Sequence, residues 1–254
     1  MKKKTMTPRQ LAALALQRLK EKSDPVRAEG AQRYFKEDFQ CFGLTAPQLR
    51  DLASEVYEMI KPAWGIAEAV EFCDFLLPNS NHEAKAMGIL ILERYRRQFP
   101  KSLFSKIRGW LGKNYLNNWA AVDVLCPSCV GALLERHPDL VAKIKLWAGS
   151  PNRWVRRASI VSFIKLAKKP GCRDAVYEIA GLHFDDNDDL IQKANGWLLR
   201  EAGKADMIRL EEFLLNKGPA IPRTTLRYAI ERFDKQKRRT LLQATKGSKS
   251  VRFL

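Results

Sequence analysis

The stretch "PNRWVRRASIVSFIKLAKK", Pro151 to Lys169, returns in altered form as "DNDDLIQKANGWLLREAGK", Asp186 to Lys204. Arg157-Ala158 of the first aligns with Lys193-Ala194 of the second, a spacing of 193 − 157 = 36 residues. Lys85-Ala86, in "NHEAKAMGILI", lies 157 − 85 = 72 residues before Arg157, two such periods. Trp119 precedes Trp154 by nearly the same interval, 154 − 119 = 35. A period of this size holds two helices and their turns, and helix pairs repeating along a chain stack into α-solenoids of the TPR or HEAT-like kind. Stacking of that sort curves the array and gives it a concave face suited to a long ligand.

Outside these segments the pattern stays helical. In "PRQLAALALQRL", "APQLRDLASEVYEMI" and "AKAMGILILERY" the apolar positions fall at i, i+3, i+4 and i+7. Starters recur at Thr7-Pro8, Asp24-Pro25, Ala46-Pro47, Pro138-Asp139, Pro151-Asn152 and Ile221-Pro222, and proline fits the first helical turn because its missing N–H has no partner there. No Val/Ile/Thr-rich alternation reads as a strand. The expectation is an all-α chain of roughly a dozen ordinary helices: an α-solenoid of HEAT-like pairs with a basic concave groove, one domain over residues 1–242 and a basic flexible tail over 243–254.

Hydrophobic residues make up 46% of the 254, which excludes global disorder. Lys and Arg number 45 against 28 Asp and Glu, a net charge of +17. That surplus favours a polyanionic partner, nucleic acid ahead of an anionic membrane surface. No apolar run spans a bilayer, and Gln and Arg interrupt the only segment resembling a signal-peptide core, so a cytoplasmic protein is expected. The five cysteines (41, 73, 126, 129, 172) read as reduced core thiols. Cys126-Pro-Ser-Cys129 lacks the βαβ setting of a redox motif and any second ligand pair for zinc. The three histidines have no ligand spacing, and no P-loop, nucleophile elbow or dinucleotide fingerprint occurs. Neither cofactor nor metal is expected.

Three places could carry chemistry. In "NNWAAVDVLCPSCV", Asn117 to Val130, Trp119 and Asp123 lie one helical turn apart, at the edge of a core stripe formed by Val122, Cys126, Cys129 and Leu133. Pro127 then brings no N–H to the carbonyl of residue i−4, which is Asp123, and its ring crowds that carbonyl, so the helix should kink or open there. From spacing alone, a core tryptophan with an edge aspartate in a local ion pair is the favoured reading. Arg157, with Arg153 and Arg156, has the bidentate geometry that grips phosphate, and basic residues at 85, 157 and 193 would make a row along a solenoid. A solvated helix face is the plain alternative. Trp197 follows Gly196, which permits close approach, or it is a core residue.

Together these segments resemble the bacterial AlkD-type DNA alkylation-repair glycosylases, a HEAT-like repeat family. The likeness runs through "RYFKEDFQCFGLTAPQLRDL" (Arg33 to Leu52), "NNWAAVDVLCP", "HPDLVAKIKLWAGSPNRWVRRASI" (His137 to Ile160) and "DDLIQKANGWLLRE" (Asp188 to Glu201). It implies Asp123 as the catalytic aspartate, Trp119 and Trp197 as aromatic walls and Arg157 as the grip on the lesion backbone. It also implies Tyr34 near the DNA. Lys85, Arg153, Arg156, Lys193 and Arg200 join the expected DNA-contacting set. Ala120 replaces an acidic residue common after the tryptophan, and Thr45 stands where a polar amide is expected. The implied activity is that of a monofunctional glycosylase acting, as a monomer, on double-stranded DNA containing alkylated bases. It would release cationic N3- or N7-alkylpurines without deep base flipping. A non-catalytic, structure-specific DNA-binding relative and a protein-interaction solenoid are the other classes.

Overall fold

The computed structural model describes residues 6–246, and among these the only extended pairing is an isolated bridge between Gln40 and Asn81. The fold is all-α, as the periodicity predicts. Its contacts gather into two compact units that divide between Leu133 and Leu134.

The first unit runs through α1 (Pro8–Glu21), α2 (Pro25–Ala31), α3 (Ala46–Ile60), α4 (Ile66–Leu76), α5 (His82–Arg94), α6 (Leu103–Gly112) and α7 (Trp119–Leu125). The predicted starters act as expected. Thr7 and Thr45 each close a capping box with the glutamine three residues on, and Pro8, Pro25 and Pro47 occupy first turns. Thr45 is thus the cap of α3.

Helix α5 is the unit's inner support. It packs against α1, α3, α4 and α7 and is buried from Glu83 through Ile89. Gly88 lets the Cys73 Cα of α4 approach to 3.5 Å of where a Cβ would stand, and the Cys73 thiol donates to the Gly88 carbonyl. So central a helix must satisfy its own charges. Glu83 accepts N–H bonds from Phe42, Gly43 and Leu44 at 2.8–3.1 Å, which fixes the turn entering α3.

Beyond α7 the chain widens into a single π turn, Cys126–Val130, in which the Gly131 N–H reaches back to the Cys126 carbonyl. This is the opening expected at Pro127: a residue without an N–H cannot continue the i→i−4 ladder, and the wider turn removes the ring's clash. Val122, Cys126, Cys129 and Leu133 are all fully buried, the predicted stripe. All five cysteines are free. Helix α8 (Gly131–Arg136) crosses the division.

The second unit continues with α9 (Leu140–Lys145), α10 (Arg153–Val161), α11 (Arg173–Gly181), α12 (Asp189–Gly203), α13 (Met207–Lys217), α14 (Arg223–Ala229) and α15 (Lys235–Ala244). Here α12 is the inner helix, packed on α10, α11, α13 and α14. A Cβ on Gly196 would lie 2.4 Å from the Tyr228 Cβ and 2.6 Å from the Thr225 carbonyl oxygen of α14. The close approach anticipated at this glycine is therefore real, and Thr225 Oγ1 adds a bond to the Gln192 carbonyl at 3.0 Å. Of the expected tail, 243 and 244 end α15, while 247–254 lie outside the described residues. No described helix is long and apolar enough to cross a membrane.

Candidate nucleic-acid site

Asn118 caps α7 through a 2.9 Å bond from the Ala121 N–H, and this start sets the two residues that matter. Ala121, Val122 and Leu125 turn inward, leaving Trp119 and Asp123 half-buried along the helix edge. The Trp119 ring does not hang free. It stacks on Phe35 at 5.0 Å between centroids and 11° between planes, Phe35 stacks on Phe39 at 3.6 Å, and Phe39 leans on His82. The indole N–H donates to the Tyr34 carbonyl at 3.4 Å.

The loop presenting Phe35 and Phe39 is itself pinned. Gln32 donates to the Phe35 and Glu37 carbonyls and accepts from the Phe39 N–H. Tyr34 projects outward, 64% exposed, with Arg33 over its ring. Beside this run lies a cleft of about 600 Å³ lined by Arg27, Arg33, Tyr34, Phe39, His82 and Ala120, among others. Burial, with the Lys85 charge second, pushes the His82 pKa down to about 4, so that imidazole is neutral. The Phe35–Phe39 pair was not foreseen as part of the site; its signal was two phenylalanines four residues apart in a segment with no helical start.

Lys85 corrects an expectation. It is 2% exposed, and its ammonium donates to the Tyr115 carbonyl at 2.6 Å and Asn117 Oδ1 at 2.8 Å. Burial lowers its pKa to about 8. A cation so enclosed cannot reach a phosphate, and it leaves the expected basic row for a positioning role on the segment that leads into α7.

In the second unit, Arg157 is 6% exposed and donates to the Leu190 carbonyl in the first turn of α12. Arg156 clasps the loop before that helix, with Nε on Asp186 at 2.7 Å and Nη1 on the Ser150 and Pro151 carbonyls. That network ties the loops that precede α10 and α12 to one side chain. Arg153 pairs with Asp188, the cap of α12. Lys193 pairs with Asp189 at 2.8 Å, and this bond raises its pKa; Arg200 pairs with Glu231. Trp197, one turn beyond Lys193, is half-buried.

The helix caps put the repeat in register. Asp123 follows its cap Asn118 by five residues, as Arg157 follows Asn152 and Lys193 follows Asp188. A carboxylate thus occupies the position that carries a cation in two other repeats. Among the described residues, no group of three or more His, Cys, Asp or Glu is placed to hold a metal ion.

The sequence pattern of the DNA alkylation repair enzyme family matches residues 15–233. The chain belongs to that family. Among solved structures it is similar to a predicted DNA alkylation repair enzyme from Enterococcus faecalis, with a TM-score of 0.72 and 19% identity over 84% of this chain and 97% of that one; at that identity the likeness is one of fold. No curated protein matches significantly.

Proposed function

We propose that this member of the DNA alkylation repair enzymes is a monofunctional DNA glycosylase releasing cationic N3- and N7-alkylpurines from duplex DNA. The observation that carries the reading is Asp123, an edge carboxylate one turn from a clamped tryptophan, at a repeat position where Arg157 and Lys193 are cations.

Alkylation at N3 or N7 leaves the purine positively charged, so the C1′–N bond is weakened before any protein group acts. When it breaks, the bonding electrons leave with the now neutral base and positive charge develops on the sugar. A fixed carboxylate stabilises that oxocarbenium-like state and orients the water that adds to C1′, which then loses a proton. The electron-rich face of Trp119 favours the same cationic character. The base needs no deep pocket in this scheme and leaves from the stack. Ala120, with a methyl in place of the family's acid, adds no carboxylate to the cleft that Arg27 and Arg33 line.

Replacing Asp123 with Asn keeps the shape and removes the charge. Base release from methylated duplex should fall by a factor on the order of 10²–10³, with duplex affinity unchanged. Release at the wild-type rate would refute the role. Salt-sensitive duplex binding by a wild-type protein that releases no base would instead mark a non-catalytic DNA-binding relative.

A further inference from the structure

A second cleft in the first unit, about 630 Å³, is lined by Arg50, Arg94, Arg96 and Arg97 with a single carboxylate, Glu93, and by Tyr57. It lies between α3 and α5, well along both helices from the Glu83 clasp that joins their beginnings. Glu83, Leu90 and Arg94 recur on one face of α5, so the face that secures the start of α3 also supplies the wall of the cleft.

The guanidinium of Arg94 is prearranged. It donates to Ser54 Oγ at 2.8 Å and lies 5.3 Å over the Tyr57 ring, while the Ser54 hydroxyl donates in turn to the Arg50 carbonyl at 2.9 Å. Tyr57 is held edge-on by the buried Tyr95 at 5.8 Å. Glu93 pairs with Arg96 at 3.8 Å. One arginine in the last turn would answer the carbonyl end of α5. Four around one cleft repel one another, and an anion with several oxygens relieves that repulsion while matching the fork geometry of guanidinium.

We infer that this cleft is a phosphate site for the DNA backbone, apart from the Trp119–Asp123 helix edge and resting on the proposed DNA partner. Its role is grip, with no part in base release.

The test uses the full chain carrying Arg50→Ala and Arg97→Ala together, and a control with Lys20→Ala and Lys22→Ala that removes the same charge from the end of α1. Binding of unmodified duplex is measured against salt. The double arginine variant should lower the slope of log K against log[salt] by about 1.8, roughly 0.9 for each phosphate no longer neutralised, and weaken binding about tenfold or more near 0.1 M salt. Its thermal melt and its single-turnover base-release rate at saturating protein should match wild type. An unchanged slope, or an equal fall in the lysine control, overturns the inference. So does stabilisation of wild type alone by inorganic phosphate or a mononucleotide with the duplex slope untouched, which would make the cleft a small-anion site. A wild type without base release whose slope still falls in the arginine variant would sink the glycosylase reading and leave this inference standing.

Discussion

The ammonium of Lys85 donates to the Tyr115 carbonyl and to Asn117 just before α7 begins, and burial holds its pKa near 8. Methionine at this position would keep the volume and remove the cost of burying a charge, but would leave the Tyr115 carbonyl without that donor. The Lys85→Met protein should lose about 2 kcal/mol of stability and release alkylated bases roughly tenfold more slowly, because a small displacement of α7 moves the carboxylate off its reacting geometry. Its salt slope for duplex binding should equal wild type. A slope lower by about 0.9 would restore the phosphate role. At this scale the site was partly legible. Trp119 and Asp123 stand out through their spacing and the Pro127 that follows. Lys85 misleads because "AKAMGILIL" is apolar on every face, the mark of a helix buried all round, and the depth of one lysine within it is a tertiary fact. Phe35 and Phe39 escaped notice for a similar reason: the stack of Phe39 on Phe35 and of Phe35 on Trp119 joins segments far apart in sequence.

Between elements, α12 and α14 pack closely. An alanine at 196 gains about 1 kcal/mol of helix propensity. Its Cβ, however, would stand 2.4 Å from the Tyr228 Cβ and 2.6 Å from a backbone carbonyl, and backbone does not yield as a flexible side chain does. The packing term wins: Gly196→Ala should destabilise by about 2 kcal/mol net, read from urea unfolding, and should disturb the neighbouring Trp197 fluorescence. A neutral or stabilised variant would show that α12 and α14 are not in this contact. Elements were the most legible level of the chain. Capping boxes at Thr7 and Thr45, prolines in first turns and the i, i+3, i+4 stripes are local signals, and local physics decides where a helix starts. The π turn at Cys126–Val130 was foreseeable as a disturbance but not in form, since Pro127 forbids the regular ladder without choosing between a kink and a wider turn.

Across the whole molecule, two histidines are folded into places that tolerate only the neutral ring. His183 is 1% exposed, and its Nε2 lies 2.9 Å from Ser159 Oγ, which donates its own proton to the Arg156 carbonyl; the ring therefore supplies the N–H. Burial lowers the pKa of both His82 and His183 from 6.5 to about 4. The unfolded chain takes up a proton near pH 6.5 that the folded one refuses until about pH 4, so stability is complete above 6.5 and is lost on acidification through that window. The slope approaches about 1.4 kcal/mol per pH unit for each histidine, and protonation adds to a net charge already at +17, where self-repulsion works in the same direction. Urea unfolding should therefore show a loss of about 2 kcal/mol per histidine between pH 7 and pH 5. His183→Asn, weaker at neutral pH for want of its fit to Ser159, should remove about half of that pH dependence. A wild type whose unfolding free energy stays flat over this range would mean that burial does not hold the two rings neutral.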